Sequence, residues 1–233
     1  MSSLCEAVVS PADSMMVAGS LCEYSKLFLK GKFFEFDELL GKDKTEWLSA
    51  FRSGDFAVFR LTPEKYHYNH CPVSGRVVDF YEIDGDHHSC NPAVFVKLAA
   101  AYSKNKRTVT VIDTDVENGS GVGFVVMVEV VALMIGAIVQ CYSEEKYDSP
   151  KTLEKGMFIQ RGKPKSLFRP GSSTVILFFQ KEKVRFSRDI MENMNRPGVA
   201  SRISFNFEKP LVETEVSVRS DIARAAREAG AEC

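Results

Sequence analysis

The stretch VGFVVMVEVVALMIGAIV, residues 122–139, decides the fold class. Its 18 residues are almost all apolar, and that length is the lower limit for a helix crossing a bilayer. Glu129 stands near the middle, where hydrocarbon makes a carboxylate costly. The run is dominated by Val and Ile and interrupted by Gly123 and Gly136, a composition that suits buried strands better than a helix. It therefore reads as two core strands.

Similar runs lie on either side. Phe56–Leu61, Gly75–Ile83, Thr108–Asp113, Phe124–Leu133, Ile135–Tyr142, Thr174–Phe179 and Ile203–Phe207 carry the Val, Ile and Phe content of strands. Turn residues such as Asp84-Gly85-Asp86 separate them. Helical candidates are few: Phe36–Leu40, Lys44–Phe51, Pro92–Tyr102 with Asn91 as its cap, and the Ala/Arg/Glu-rich tail Ser220–Ala229. No long period repeats and no linker divides the chain. The expected architecture is α+β: one domain over residues 1–233, predominantly antiparallel β, with a few short helices.

Composition narrows the function classes. A chain of 233 residues, 45% hydrophobic and 26% charged, can bury a sizeable core, which excludes disorder and a disulfide miniprotein. Lys and Arg (30) balance Asp and Glu (31), which argues against a broad basic footprint for nucleic acid and leaves room for local patches. Six scattered cysteines without a Cys-x-x-Cys pair, and a start without a basic and apolar leader, predict reduced thiols in a cytosolic compartment. Between Tyr24 and Leu40, Lys26, Lys30 and Lys32 alternate with Phe28, Phe33, Phe34 and Phe36. That mixture suits either a membrane-surface patch or, as the simpler reading, a segment packed on the sheet.

His67 and His70 share the segment Tyr66-His67-Tyr68-Asn69-His70-Cys71-Pro72. No third ligand at metal spacing accompanies them, so no metal site is expected. Gly119-Ser120-Gly121-Val122-Gly123 imitates a phosphate loop, but a strand follows it where a nucleotide site needs a helix, and a hairpin turn is expected. Phe168-Arg169-Pro170-Gly171-Ser172-Ser173 sets Gly-Ser directly before a buried strand. A serine there serves a turn or a strand start unless a base and a carboxylate come to it from elsewhere. His70 and Asp13 are candidates, since geometry and not chain order defines such a triad.

Ser10-Pro11-Ala12-Asp13, then Thr62 to Pro72, then Gly171-Ser172-Ser173 resemble, in order and at similar separations, the three signature blocks of phosphatidylserine decarboxylases. Lys30-Gly31 with Leu39-Leu40-Gly41, and Arg161-Gly162-Lys163, resemble two weaker blocks of that family. The resemblance implies a proenzyme that cuts itself at Gly171–Ser172 into a β chain, 1–171, and an α chain, 172–233. Ser172 would become a covalent pyruvoyl group, the pyruvate cofactor that accepts electrons as CO2 departs. His70 would be the base for cleavage, Asp13 its orienting partner, and His67 a residue of substrate chemistry. The implied activity is a carboxy-lyase converting phosphatidylserine to phosphatidylethanolamine. The two cleavage products would stay together as a heterodimer, peripheral on the cytoplasmic face of a membrane.

Two departures stand out. Ser14 occupies a position where the family has glycine, and the chain begins about ten residues before the aspartate block, where many members carry a hydrophobic region. A relative acting on a soluble amino acid and a noncatalytic β-rich lipid- or protein-binding module are the competing readings.

Overall fold

The computed structural model describes residues 6–21, 35–88, 101–132, 137–169, 173–199 and 211–226. Its first half contains β1 (Ala7–Val9), β2 (Ser14–Ser20), α1 (Phe36–Leu40), α2 (Thr45–Phe51), β3 (Asp55–Leu61), β4 (Tyr68–His70), β5 (Gly75–Ile83) and α3 (Ala101–Lys104). The second half adds β6 (Arg107–Asp113), β7 (Phe124–Val130), β8 (Ile138–Gln140), β9 (Phe158–Ile159) and β10 (Pro164–Phe168). It closes with β11 (Ser173–Phe179), β12 (Val184–Phe186), α4 (Arg188–Met194), β13 (Thr214–Val216) and β14 (Asp221–Ala225).

Eight strands form one sheet in the order β13-β2-β3-β11-β7-β6-β5-β9, with antiparallel pairing throughout. Because side chains alternate along a strand, this sheet has two apolar faces. Ile176 and Phe178 of β11, with Val126 and Val128 of β7, meet Leu39, Trp47, Phe51 and Met194 from the helices. Val175, Leu177 and Phe179, with Val125 and Met127, meet residues of two small sheets, β1-β14-β12 and β4-β10-β8. β11 is central and buried along its whole length, so its sequence is a continuous apolar run without alternation.

The strand expectations over 56–61, 75–83, 108–113 and 174–179 are met, as are the two short helices. The run 122–139 holds β7 and the first two residues of β8, and among the described residues no helix is long and apolar enough to cross a membrane. The glycine cluster is the β6–β7 hairpin connection; a Cβ at Gly119 would lie 2.1 Å from the Thr114 carbonyl oxygen. The tail is the correction: Asp221–Ala225 is a strand and no helix. Its helix-favouring Ala and Arg are overridden because Ile222 and Ala223 bury between β1 and β12. Most of Pro92–Tyr102, all of Ile203–Phe207 and the lysines of the 24–40 segment lie outside the described residues, whereas Phe36 packs edge-on against Phe178.

By the same alternation, Glu129 of β7 points with Val125 and Met127 into the layer between the large sheet and β4-β10-β8. There the side chains of Glu129 and Lys165 are both fully buried, 2.5 Å apart. The carboxylate also accepts from Asn69 Nδ2 at 3.1 Å, Gln140 Nε2 at 3.3 Å and the Ser166 hydroxyl. Lys165 Nζ donates a second bond to Gln140 Oε1 at 3.2 Å. Neighbouring residues on a strand normally face opposite ways. A register shift between Pro164 and Ser166 relaxes that rule and brings both Lys165 and Ser166 to the same carboxylate.

Removing one member of a buried pair leaves the other charged and uncompensated, at a cost of about 3–5 kcal/mol. Lys165→Met is expected to lower the unfolding free energy by about that amount. Glu129→Gln combined with it should lose less than the sum of the two single changes. Urea unfolding in a Ser172→Ala background, chosen because the family resemblance implies a cut at that serine, measures both; a loss within about 0.5 kcal/mol for Lys165→Met, the range of ordinary surface changes, would contradict the assignment.

Candidate functional site

The segments of Asp13, His70 and Gly162 meet through main-chain hydrogen bonds. His70 ends β4, which runs antiparallel to β10 with Pro164 opposite His70. Its N–H donates to the Pro11 carbonyl at 2.7 Å, drawing in the segment of Asp13. Cys71 N–H donates to Lys163 O, and Gly162 N–H to Cys71 O, both at 2.8 Å. Gly162 holds φ at +78°, a left-handed conformation that favours glycine, and this turns its carbonyl toward the histidine.

The His70 ring is buried and bonded at both nitrogens. Nδ1 lies 2.8 Å from the Gly162 carbonyl, which only accepts, so Nδ1 carries the proton and Nε2 is the basic atom. Nε2 faces the Tyr66 hydroxyl at 3.0 Å, and that hydroxyl meets Tyr147 Oη at 2.5 Å. Tyr66 stacks on Tyr68, and Tyr147 stands edge-on to Tyr68 and His70. Burial holds His70 below its ordinary value of 6.5, and Arg219 adds to the lowering. The Gly162 bond and Asp13 oppose it. Burial and Tyr147 push the Tyr66 phenol up, so it remains a neutral donor.

Asp13 accepts from Val218 N–H at 2.6 Å, and among the described residues no bond joins it to the imidazole. The tautomer expected to depend on Asp13 is set here by the Gly162 carbonyl; Asp13 acts on the ring through space. Ser14 opens β2, and no residue of the described segment 6–21 has a left-handed φ, so a glycine is not required at that turn.

His67 stands just before β4, its carbonyl accepting from Phe168 N–H at 3.0 Å. Its Nδ1 lies 2.5 Å from the Lys65 carbonyl, which leaves Nε2 as the basic nitrogen, buried and without a partner among the described residues. Gly171 and Ser172 lie outside the described residues. On either side of them, β10 ends in the small sheet at Phe168 and β11 begins in the large sheet at Ser173, whose buried hydroxyl also lacks a described partner.

Cys71 is buried and free, its thiol pushed up to about 12, which makes it inert. Sequence reasoning missed Tyr66, Tyr147 and the Asn69–Glu129–Lys165 network. The only local signal was a pair of opposite charges, Glu129 and Lys165, set in otherwise strand-like segments.

Residues 3–204 match the family model for phosphatidylserine decarboxylase. Relatives include the phosphatidylserine decarboxylase proenzyme of Clostridium tetani, 33% identical over 189 residues, covering 81% of this chain and 58% of that protein. Proenzyme 2 of Oryza sativa subsp. japonica is 35% identical over 187 residues, covering 79% and 27%. Proenzyme 3 of Schizosaccharomyces pombe is 30% identical over 187 residues, covering 80% and 18%. This chain thus spans just over half of the bacterial relative and a smaller part of the two eukaryotic ones.

The lowered pKa of His70 makes a stability prediction. The folded state resists protonating this ring, so its contribution is complete above the unfolded value near 6.5 and is lost as pH falls from there through the folded value. In the Ser172→Ala background, His70→Gln is expected to flatten the fall of unfolding free energy between pH 7 and pH 5, by at most about one proton's worth of slope. Parallel pH dependences with and without His70 would contradict it.

Proposed function

The chain belongs to the phosphatidylserine decarboxylase family, and from that premise we propose that it is a self-cleaving, pyruvoyl-dependent carboxy-lyase converting phosphatidylserine to phosphatidylethanolamine and CO2. The observation that carries the reading is the convergence of the segments around Asp13, His70 and Gly162 through His70's bonds to Pro11 and Gly162.

In this reading His70, kept neutral by burial, accepts the Ser172 hydroxyl proton at Nε2 as that oxygen attacks the Gly171 carbonyl. The Tyr66 hydroxyl, now bonded to Nε2, is the group that this proton must pass through or displace. Asp13 favours the imidazolium once it forms. The same proton then goes to the leaving Ser172 nitrogen. Loss of the Gly171 carboxylate by elimination, with one water consumed and ammonia released, leaves the pyruvoyl group at residue 172.

Two residues fit such a group: the orphaned hydroxyl of Ser173 adjoins it in the chain, and the bare Nε2 of His67 belongs to the residue just before β4, whose carbonyl is bonded to Phe168 at the end of β10. The pyruvoyl carbonyl supplies the electron sink for decarboxylation. His67 Nε2 can take a proton from the incoming amine and return one from the same atom to the substrate carbon.

The proposed α chain, 172–233, would keep β11, whose seven residues are buried between β3 and β7, together with β12, α4, β13 and β14. That interleaving supports a noncovalent heterodimer of the cleavage products. Contact with the bilayer is proposed as peripheral, on the cytoplasmic face.

Intact mass and denaturing electrophoresis should show two chains, the smaller one blocked to Edman degradation, which co-elute under native conditions. Ser172→Ala should stay whole. A full-length single chain that releases CO2 from phosphatidylserine would overturn the proposal.

His67→Ala should still be cut but lose about 10²–10⁴-fold in CO2 release per cut chain. Unchanged turnover per cut chain would remove His67 from the decarboxylation step.

A further inference from the structure

β4 and the residue just before it carry two buried acceptors that have no donor among the described residues. His67 commits Nδ1–H to the Lys65 carbonyl, so its buried Nε2 presents a lone pair. Asn69, wholly buried, donates from Nδ2 to Glu129 Oε1 and to Ser166 Oγ, each at 3.1 Å. The Glu129 carboxylate can only accept, so turning the amide over would set oxygen against oxygen. The free end is therefore Asn69 Oδ1, which is buried and has no partner among the described residues.

The two residues are on the same face. The pairing of β4 with β10 runs back one residue past Tyr68, where the His67 carbonyl accepts from Phe168 N–H, so His67 and Asn69 alternate with Tyr68 and His70; Tyr66, Tyr68 and His70 contact one another or Tyr147, while Asn69 reaches Glu129 of the large sheet. Two positions along a strand amount to about 6.6 Å, a separation that one hydrogen-rich nitrogen can bridge with bonds of ordinary length to both side chains. Unsatisfied buried acceptors are costly, and a pair of them locked in orientation by the groups behind them calls for a donor. Lys165 already neutralises Glu129, so what this face offers is oriented lone pairs and no spare negative charge.

We propose that Asn69 Oδ1 and His67 Nε2 together receive the primary ammonium group of the lipid head, with Asn69 as a specificity-determining residue. The inference rests on the decarboxylase reading for its ligand. It selects by N–H hydrogens, so a quaternary ammonium of the same charge gains nothing from these acceptors. The anchoring chain is Lys165 to Glu129 to Asn69, which makes the buried ion pair the support of the recognition site.

The test is calorimetric titration of the uncut Ser172→Ala chain with monomeric short-chain phosphatidylethanolamine and phosphatidylcholine. These differ in donor hydrogens and not in charge, and without a pyruvoyl group no covalent capture of the amine contributes. The ethanolamine lipid is expected to bind about tenfold more tightly. Asn69→Leu should lower that ratio, with the remainder due to His67; the ratio is read within one variant, so a general loss of lipid binding, which a merely structural role would cause, leaves it unchanged. Should Asn69→Leu fail to fold, Asn69→Ser carries the same comparison with a smaller side chain that can still donate to Glu129.

No preference in the starting protein, or a preference undiminished by loss of Asn69, overturns the proposal and assigns the two acceptors to a buried water. The decarboxylase reading fails separately: there the Ser172 chain would remain whole or release no CO2, whatever the uncut variant binds.

Discussion

A single carboxylate holds the two sheets in register around the site. Taking Glu129 out of water costs several kcal/mol unless its oxygens are matched, and they are matched by donors from β4, β8 and β10 at once. The small sheet is thereby tied to β7, the immediate neighbour of β11. The consequence reaches the proposed cleavage segment from both sides. Ser166 lies on the strand that leads into Arg169, and β11, which opens at Ser173, is hydrogen-bonded to the strand bearing Glu129. Had the pair been apolar, the layers could slide with little penalty; a carboxylate with four donors permits one register.

The second constraint is the period of two along β4. His67 and His70 are three residues apart, a spacing that would bring them together on a helix and turns them to opposite sides of a strand. Their surroundings differ accordingly. His70 is closed in by Gly162, Tyr66 and Tyr147 near Asp13 and Arg219, whereas His67 shares its face with Asn69 and the interior. Two proton acceptors with different neighbours suit the two proposed steps at Ser172, one before and one after its proposed conversion.

Some of this was legible in residue order. Gly75–Ile83 and Phe36–Leu40 agree with β5 and α1 to the residue, because a long β-rich run and a short amphipathic turn carry their own signals. The Asp13, His67–His70 and Gly171–Ser172 blocks were recognisable by residue type and separation. The three-residue strands β1, β4, β12 and β13 were not, since segments that short have no periodicity of their own and exist only by pairing. β14 was misread for a related reason: local propensity favoured a helix, and burial between two strands decided otherwise.

Residue order by itself determined the β-rich class, the near-balance of charge and the candidates for base, nucleophile and carboxylate, because each of these is a property of composition or of neighbours along the chain. Only the tertiary structure decided that a main-chain carbonyl orients His70, that Asp13 works at a distance, and that Glu129 and Lys165 form a pair beneath the site. The physical reason is separation. His70 and Gly162 are 92 positions apart, Asn69 and Glu129 60, and Asp13 and Val218 205. A hydrogen bond depends on distances of about 3 Å, and nothing local in a chain specifies which remote atom the fold will bring that close.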